Sequence, residues 1–223
     1  MTLRADDGHI VLINPNSAQS TTEMMLAIAR NSAGENVSVI GVTATRAPAM
    51  IVSPQELESA ADEVVELGLA RRQSCLGFIV SAFGDPGLEA LRRESQLPAT
   101  GICEASMLAA HAGGRRFGVA TVTPELADAI AARALHLGLA GFYSGIRCTP
   151  GDPRAIAAQP RRLNEELAEA VKACIERDGA EAVIIGGGPL GEAATHLQAF
   201  FAEPIIAPIP SAVRRLLGLI ERH

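Results

Sequence analysis

The sequence predicts an α/β protein of two pseudo-symmetric lobes, each a parallel sheet covered by helices. Three observations carry this. Apolar strand-like runs alternate with helical segments along the whole chain. The runs are continuous Val/Ile stretches, such as His9 to Ile13 (HIVLI) and Ala182 to Ile185 (AVII), which suit strands buried on both faces. One local pattern also occurs twice. Ile79-Val80-Ser81-Ala82-Phe83-Gly84-Asp85-Pro86-Gly87 runs from strand into small residues and a turn, and Ile184-Ile185-Gly186-Gly187-Gly188-Pro189 does the same in the second half. Such a strand end exposes backbone N–H groups at a helix start, a place for an anion or a carbonyl oxygen.

The elements follow in order. His9 to Ile13 is a strand that stops at Asn14-Pro15-Asn16-Ser17, and Thr21 to Asn31 is a helix. Val37 to Val42 is the second strand, and Thr43 to Ser53 a loop. Pro54 opens a helix to about Gln73, with Glu56, Glu58, Asp62, Glu63 and Glu66 toward its N-terminal part, as the helix dipole prefers. Leu76 to Ser81 is the third strand, Leu88 to Glu94 a helix, and Pro98 to Ile102 a short fourth strand leading to a helix that ends at His111. Arg116 to Ala120 is the fifth strand. Thr123-Pro124-Glu125 then reads as an N-cap, a first-position proline and a first-turn acid, opening a helix to about Leu137. Ala140 to Arg147 is a strand, Thr149 to Pro153 a loop and Arg161 to Arg177 an amphipathic helix. Ala182 to Gly186 (strand), Leu190 to Phe200 (helix), Pro204 to Ala207 (strand) and Ser211 to Glu221 (helix) complete the chain. The lobes divide as residues 1–98 with 208–223, and 99–207.

Bulk properties narrow the function. A chain of 223 residues is ample for a buried core. Although 48% of residues are hydrophobic, no apolar run reaches the roughly 18 residues that suggest a membrane span. Met1 to Gly8 holds Asp6 and Asp7 and no apolar stretch, so no signal peptide is expected and the chain reads as cytoplasmic. A net charge of −6 argues against nucleic acid, and the 3% aromatic content against a base-stacking platform. Cys75, Cys103, Cys148 and Cys174 lack metal-ligand spacing, and no disulfide is expected in that compartment. Neither metal nor cofactor is expected.

Ligands of parallel α/β sheets collect at the carboxyl ends of strands. The residues there are Asn14, Asn16, Ser17, the segment Thr43 to Pro48, Ser81, Ala82, Phe83, Gly84, Asp85, Cys103, Glu104, Thr121, Thr123, Gly187, Gly188, Pro189 and Ser211. Hydroxyls, amides and bare N–H groups with few charges suit a small carboxylate, imide or amide. Pro189 removes a donor from the glycine run, which disfavours a nucleotide phosphate, and no Gly-x-Ser-x-Gly elbow exists. None of the five histidines directly follows a strand.

Ile13-Asn14-Pro15-Asn16-Ser17, Phe83-Gly84-Asp85-Pro86-Gly87-Leu88 and Gly101-Ile102-Cys103-Glu104-Ala105, with the glycines at 186 to 188, resemble the hydantoin racemases of the aspartate/glutamate racemase superfamily. Order and spacing match over nearly the whole chain. The resemblance implies a site between the lobes, a homo-oligomer, and a two-base mechanism. In it one cysteine per lobe faces the substrate α-carbon, one thiolate removing the proton and the other thiol returning it. The Asn-Pro-Asn loop and the amides after each cysteine would hold the carboxylate or imide oxygen.

At both of the resembling cysteine positions this chain differs, carrying Ala82 and Gly187. The related arylmalonate decarboxylases keep the second-lobe cysteine, which is also missing here. Cys103 is then a relocated nucleophile or base at a helix start, or a small residue packing under the site. Glu104 is a general base, or an acid that favours the helix N-terminus. Asp85 acts, or only caps its turn. Ser81 points away from its neighbour's face if strand alternation holds. Cys75, Cys148 and Cys174 are expected in helices or loops away from strand ends, and inert. Three readings follow: an enzyme of altered chemistry (hydrolase, lyase or decarboxylase), a racemase or isomerase with substitute bases, and a silent carboxylate-binding protein.

Overall fold

The computed structural model describes residues 8–35 and 37–223, so the reading of the first seven residues as lacking a signal peptide lies outside it. The chain forms two compact units. One contains the chain up to Ile51 with Gln55–Ile102 and Ile209–His223, the other Val52–Pro54 with Cys103–Pro208.

The first unit holds strands β1 (His9–Asn14), β2 (Ser38–Thr43), β3 (Cys75–Val80) and β4 (Ala99–Gly101), ordered β2-β1-β3-β4 and all parallel. β4 thus joins the first sheet, past the boundary expected at 98. Ile10, Val11, Leu12 and Ile13 are wholly buried. A strand so buried contributes about 1.5–3 kcal/mol for each large aliphatic side chain. Helix α1 (Gln19–Ala33) buries Thr22, Met25 and Ala29, a spacing of three and four that keeps one stripe inward. Helices α2 (Pro54–Ser59), α3 (Ala61–Ala70) and α4 (Leu88–Ser95) follow, and Val64, Leu88 and Leu91 join Val11, Ile13, Phe78 and Val80 in one core cluster. Helix α10 (Pro208–Ile220) returns to this unit, its Leu216 packed against Gly77.

The second unit repeats the plan. Helix α5 (Ile102–His111), strand β5 (Phe117–Thr121), helix α6 (Ala127–His136) and strand β6 (Tyr143–Cys148) precede helices α7 (Pro153–Ala157) and α8 (Pro160–Glu176). Strand β7 (Ala182–Gly186), helix α9 (Gly191–Leu197) and strand β8 (Ile205–Ile206) complete it, with the sheet parallel and ordered β6-β5-β7-β8. α8 buries Leu163, Leu167, Ala170, Val171 and Cys174, one helical stripe. Arg147 of β6 makes a bidentate pair with Asp178 at 2.8 and 2.6 Å.

Several elements differ from expectation. The helix expected from Pro54 to Gln73 is broken at Ala60. The break falls where the turn at Gly87 comes against α3, so close that a Cβ on Gly87 would lie 2.5 Å from the Ala61 carbonyl oxygen. The strand expected at 140–147 runs 143–148, because α6 is followed by a turn through Gly138 (φ +72°) in which Phe142 N–H donates to Leu139. Cys148 therefore ends a strand, and Cys75 begins one, whereas both were expected in helices or loops. Helix α7 begins at Pro153, the last residue of the expected loop, and runs through a stretch to which the sequence pattern assigns no element. Its signal is Asp152-Pro153: the Asp152 carboxylate accepts from Ala155 N–H at 2.8 Å, with proline at the first helical position. Thr123 was expected as an N-cap but makes no side-chain cap bond, and a short 3₁₀ turn, Pro124–Leu126, stands there instead. The helix expected from Leu190 starts as another 3₁₀ turn, Gly188–Leu190, and α9 stops at Leu197.

Glu63 of α3 holds the loop after β2. It is 5% exposed and accepts Thr45 N–H (2.7 Å), Thr45 Oγ1 (2.9 Å) and Arg46 N–H (3.0 Å). Burial alone would raise its pKa, but these donors, with Arg46, hold it below the usual carboxylate range. Its stabilising contribution is thus complete above the unfolded-state value of about 4.3 and is lost as pH falls through the lower folded value. Urea unfolding of Glu63→Gln from pH 7 to pH 3 tests this. The variant is expected to be about 1–2 kcal/mol less stable at neutral pH, with the difference closing in acid.

Candidate functional site

The carboxyl edge of the first sheet is built on Asn14. The residue is fully buried at the end of β1, and its Nδ2 donates to Asn16 Oδ1 (2.9 Å), Thr22 Oγ1 (2.9 Å) and, more loosely, the Ala18 carbonyl (3.3 Å). Its Oδ1 accepts Asn16 N–H at 3.2 Å, and Asn16 Oδ1 accepts Ala18 N–H at 3.0 Å. The two amides therefore shape the Asn-Pro-Asn turn and pin it to α1. Thr22 and Thr43 hydroxyls lie 2.6 Å apart, which extends the network to β2. Ser17 is exposed, its N–H donating to the Pro48 carbonyl at 3.2 Å.

Beside Asn14 lies the end of β3. Ser81 N–H donates to the Ile13 carbonyl at 2.8 Å, which sets the two strand ends in register. Ser81 is 3% exposed, and its hydroxyl has no hydrogen-bond partner among the described residues. Such a group is costly and calls for an explanation. Ala82 is half-buried and Phe83 buried. Asp85 N–H closes the turn onto the Ala82 carbonyl at 3.0 Å, and Gly84 packs against Leu57.

Asp85 is buried and has φ +55°, a left-handed conformation that Asp tolerates better than most residues. A Cβ on Gly101 would collide with its carboxyl. The carboxyl group thus lies against the end of β4, within the first unit. Cys103 and Glu104, both buried, occupy the first turn of α5.

At the carboxyl edge of the second sheet, Thr121 ends β5 and its hydroxyl donates to the Gly186 carbonyl at the end of β7. Thr123 Oγ1 lies 3.3 Å from Thr121 Oγ1, so both threonines face one neighbourhood. Gly187 has φ +153° and ψ +135°, a region populated essentially by glycine. Gly188 is buried and Pro189 exposed. Ser211 is buried in α10 of the first unit.

Burial pushes the Cys75 thiol up to about 11 and Cys174 up to about 12, and raises Cys148 as well. These three stay protonated near neutral pH, which removes them as nucleophiles. Among the described residues no three His, Cys, Asp or Glu side chains stand together as a metal site. None of the described helices is long and apolar enough to cross a membrane.

The family model for Asp/Glu/hydantoin racemase matches residues 10–216. The chain belongs to this family. It is 28% identical over 206 residues to a hydantoin racemase of Pseudomonas sp. (strain NS671), covering 92% of this chain and 83% of the relative. It is also 28% identical over 221 residues to a hydantoin racemase of Rhizobium meliloti, covering 95% and 88%. The solved allantoin racemase from Klebsiella pneumoniae superposes with TM-score 0.90 at 26% identity, covering 96% of this chain and 88% of that one. A crystal structure of arylmalonate decarboxylase, with TM-score 0.64 at 17% identity over 95% of this chain and 92% of that one, shares the fold. The chain is thus an enzyme of the racemase superfamily.

Gly101, the last residue of β4, leaves room for the Asp85 carboxyl, which gives a direct test of that packing. Gly101→Ala is expected to cost about 2–3 kcal/mol in chemical denaturation, and Asp85→Ala made on top of it to recover part of the loss.

Proposed function

We propose that this racemase-superfamily enzyme acts on a small carboxylate, cyclic imide or amide by hydrolytic, lyase or decarboxylase-type chemistry, not by two-cysteine racemisation. The observation that carries the reading is Gly187. By family resemblance its position is that of one of the two proton-transfer thiols, yet its backbone lies in a region that L side chains avoid. The other position is Ala82, which bears no ionisable group. The resemblance gives the amides after each of these positions the task of holding a carbonyl or carboxylate oxygen, and such donors stabilise the negative charge that develops in acyl or enolate chemistry. Ser81, with its buried hydroxyl, is a further candidate for the substrate.

Glu104 is the first choice as proton acceptor, followed by Cys103 or a water activated at the site. The reading invokes no cofactor, and it keeps the expectation of a cytoplasmic homo-oligomer. A second reading, racemisation with Glu104 and Cys103 as substitute bases, is favoured by the racemase names of the relatives and by the placement of both residues in the first turn of α5.

Proton NMR in deuterated water separates the two. Single enantiomers of hydantoins, amino acids and an arylmalonate are incubated with the enzyme and followed over time. The proposal expects new products, with the α-proton of unreacted hydantoin or amino acid retained. Accumulation of the opposite enantiomer carrying deuterium at the α-carbon sinks it in favour of the second reading. Glu104→Gln is expected to lower turnover by about 100-fold or more, in line with the loss of a general base. Full activity in both Glu104→Gln and Cys103→Ser removes these residues from the mechanism.

A further inference from the structure

We propose that Thr149, a residue outside the family motifs, is a ligand-binding residue whose hydroxyl donates to a carbonyl or carboxylate oxygen at the carboxyl edge of the second sheet. The proposal rests on the substrate class given above and adds a specific contact to it. Thr149 directly follows β6, and its N–H donates to the Thr121 carbonyl at 2.9 Å. That bond sets its backbone beside the end of β5, one residue past the Thr121–Cys148 pair of the parallel register.

The three hydroxyls differ in what they do. Thr121 spends its proton on the Gly186 carbonyl, and Thr123 leans on Thr121. Thr149 is 4% exposed, and its Oγ1 has no partner among the described residues. A buried hydroxyl without a partner is destabilising, whereas a valine of the same shape is not. A threonine held at such a position is explained by a partner that arrives with the ligand.

The test pairs unfolding temperature with ligand titration for the full-length protein and its Thr149→Val, Thr149→Ala and Thr149→Ser variants. The probes are 5-methylhydantoin, succinimide and phenylmalonate, measured by calorimetry. For whichever probe the unmodified protein binds, Thr149→Val is expected to weaken binding about tenfold or more while its unfolding temperature stays level or rises. Thr149→Ser is expected to recover most of the affinity, and Thr149→Ala gives the same readout should valine fail to fold. Unchanged affinity in both the valine and alanine variants overturns the proposal. So does a lowered unfolding temperature with unchanged affinity, the signature of a hydroxyl held by a structural water. If the unmodified protein binds none of the three probes, the substrate class itself fails, and the contact falls with it. Binding by the unmodified protein that survives the loss of the hydroxyl sinks the Thr149 contact alone.

Discussion

Parallel pairing is the constraint on which the rest depends. In each unit the first strand is hydrogen-bonded on both sides by parallel neighbours, β1 by β2 and β3, and β5 by β6 and β7. Every strand of a unit therefore ends at the same edge. The interiors are spent on aliphatic packing, with Ile10 to Ile13 and Ala182 to Ile185 fully buried. Polar groups are left to the few residues at or just past each strand end. Asn14, Ser81 and Asp85 collect at that edge of the first unit, and Thr121, Thr123 and Thr149 at that of the second. All are buried polar groups, and each has to be satisfied by the protein, by water or by a ligand.

The two edges meet this demand differently. In the first, the Asn14 amide shapes its own turn and holds α1. In the second, Thr121 ties two strand ends together through the Gly186 carbonyl. The residue after Gly186 then departs into backbone that only glycine adopts readily. The identities of Ala82 and Gly187 explain why a thiol-to-thiol proton relay is not the chemistry proposed for them.

The long elements were legible because local pattern and burial agree. Apolar runs gave β1, β3, β5 and β7, and the spacing of Leu163, Leu167 and Val171 gave α8. What escaped depends on contacts between distant residues. Glu63 looked like a helix-dipole acid, and only the approach of Thr45 and Arg46 makes it an anchor. The split between α2 and α3 depends on the turn at Gly87. Thr149 looked like the start of a loop, because an unpartnered hydroxyl is invisible until its surroundings are known. Asn14 was recognised as a strand-end amide, but its commitment to Asn16 and Thr22 was not.

The crest after β7 holds Gly187 in a conformation that an L side chain enters only with strain, whereas the crest after β3 already carries a side chain at Ala82. Urea unfolding of Gly187→Cys and Ala82→Cys, measured side by side with the unmodified protein, tests it most directly. The account predicts that Gly187→Cys loses about 1–3 kcal/mol, the cost of forcing an L residue into that conformation. It predicts a change within about 0.5 kcal/mol for Ala82→Cys. A Gly187→Cys variant as stable as the unmodified protein would contradict it.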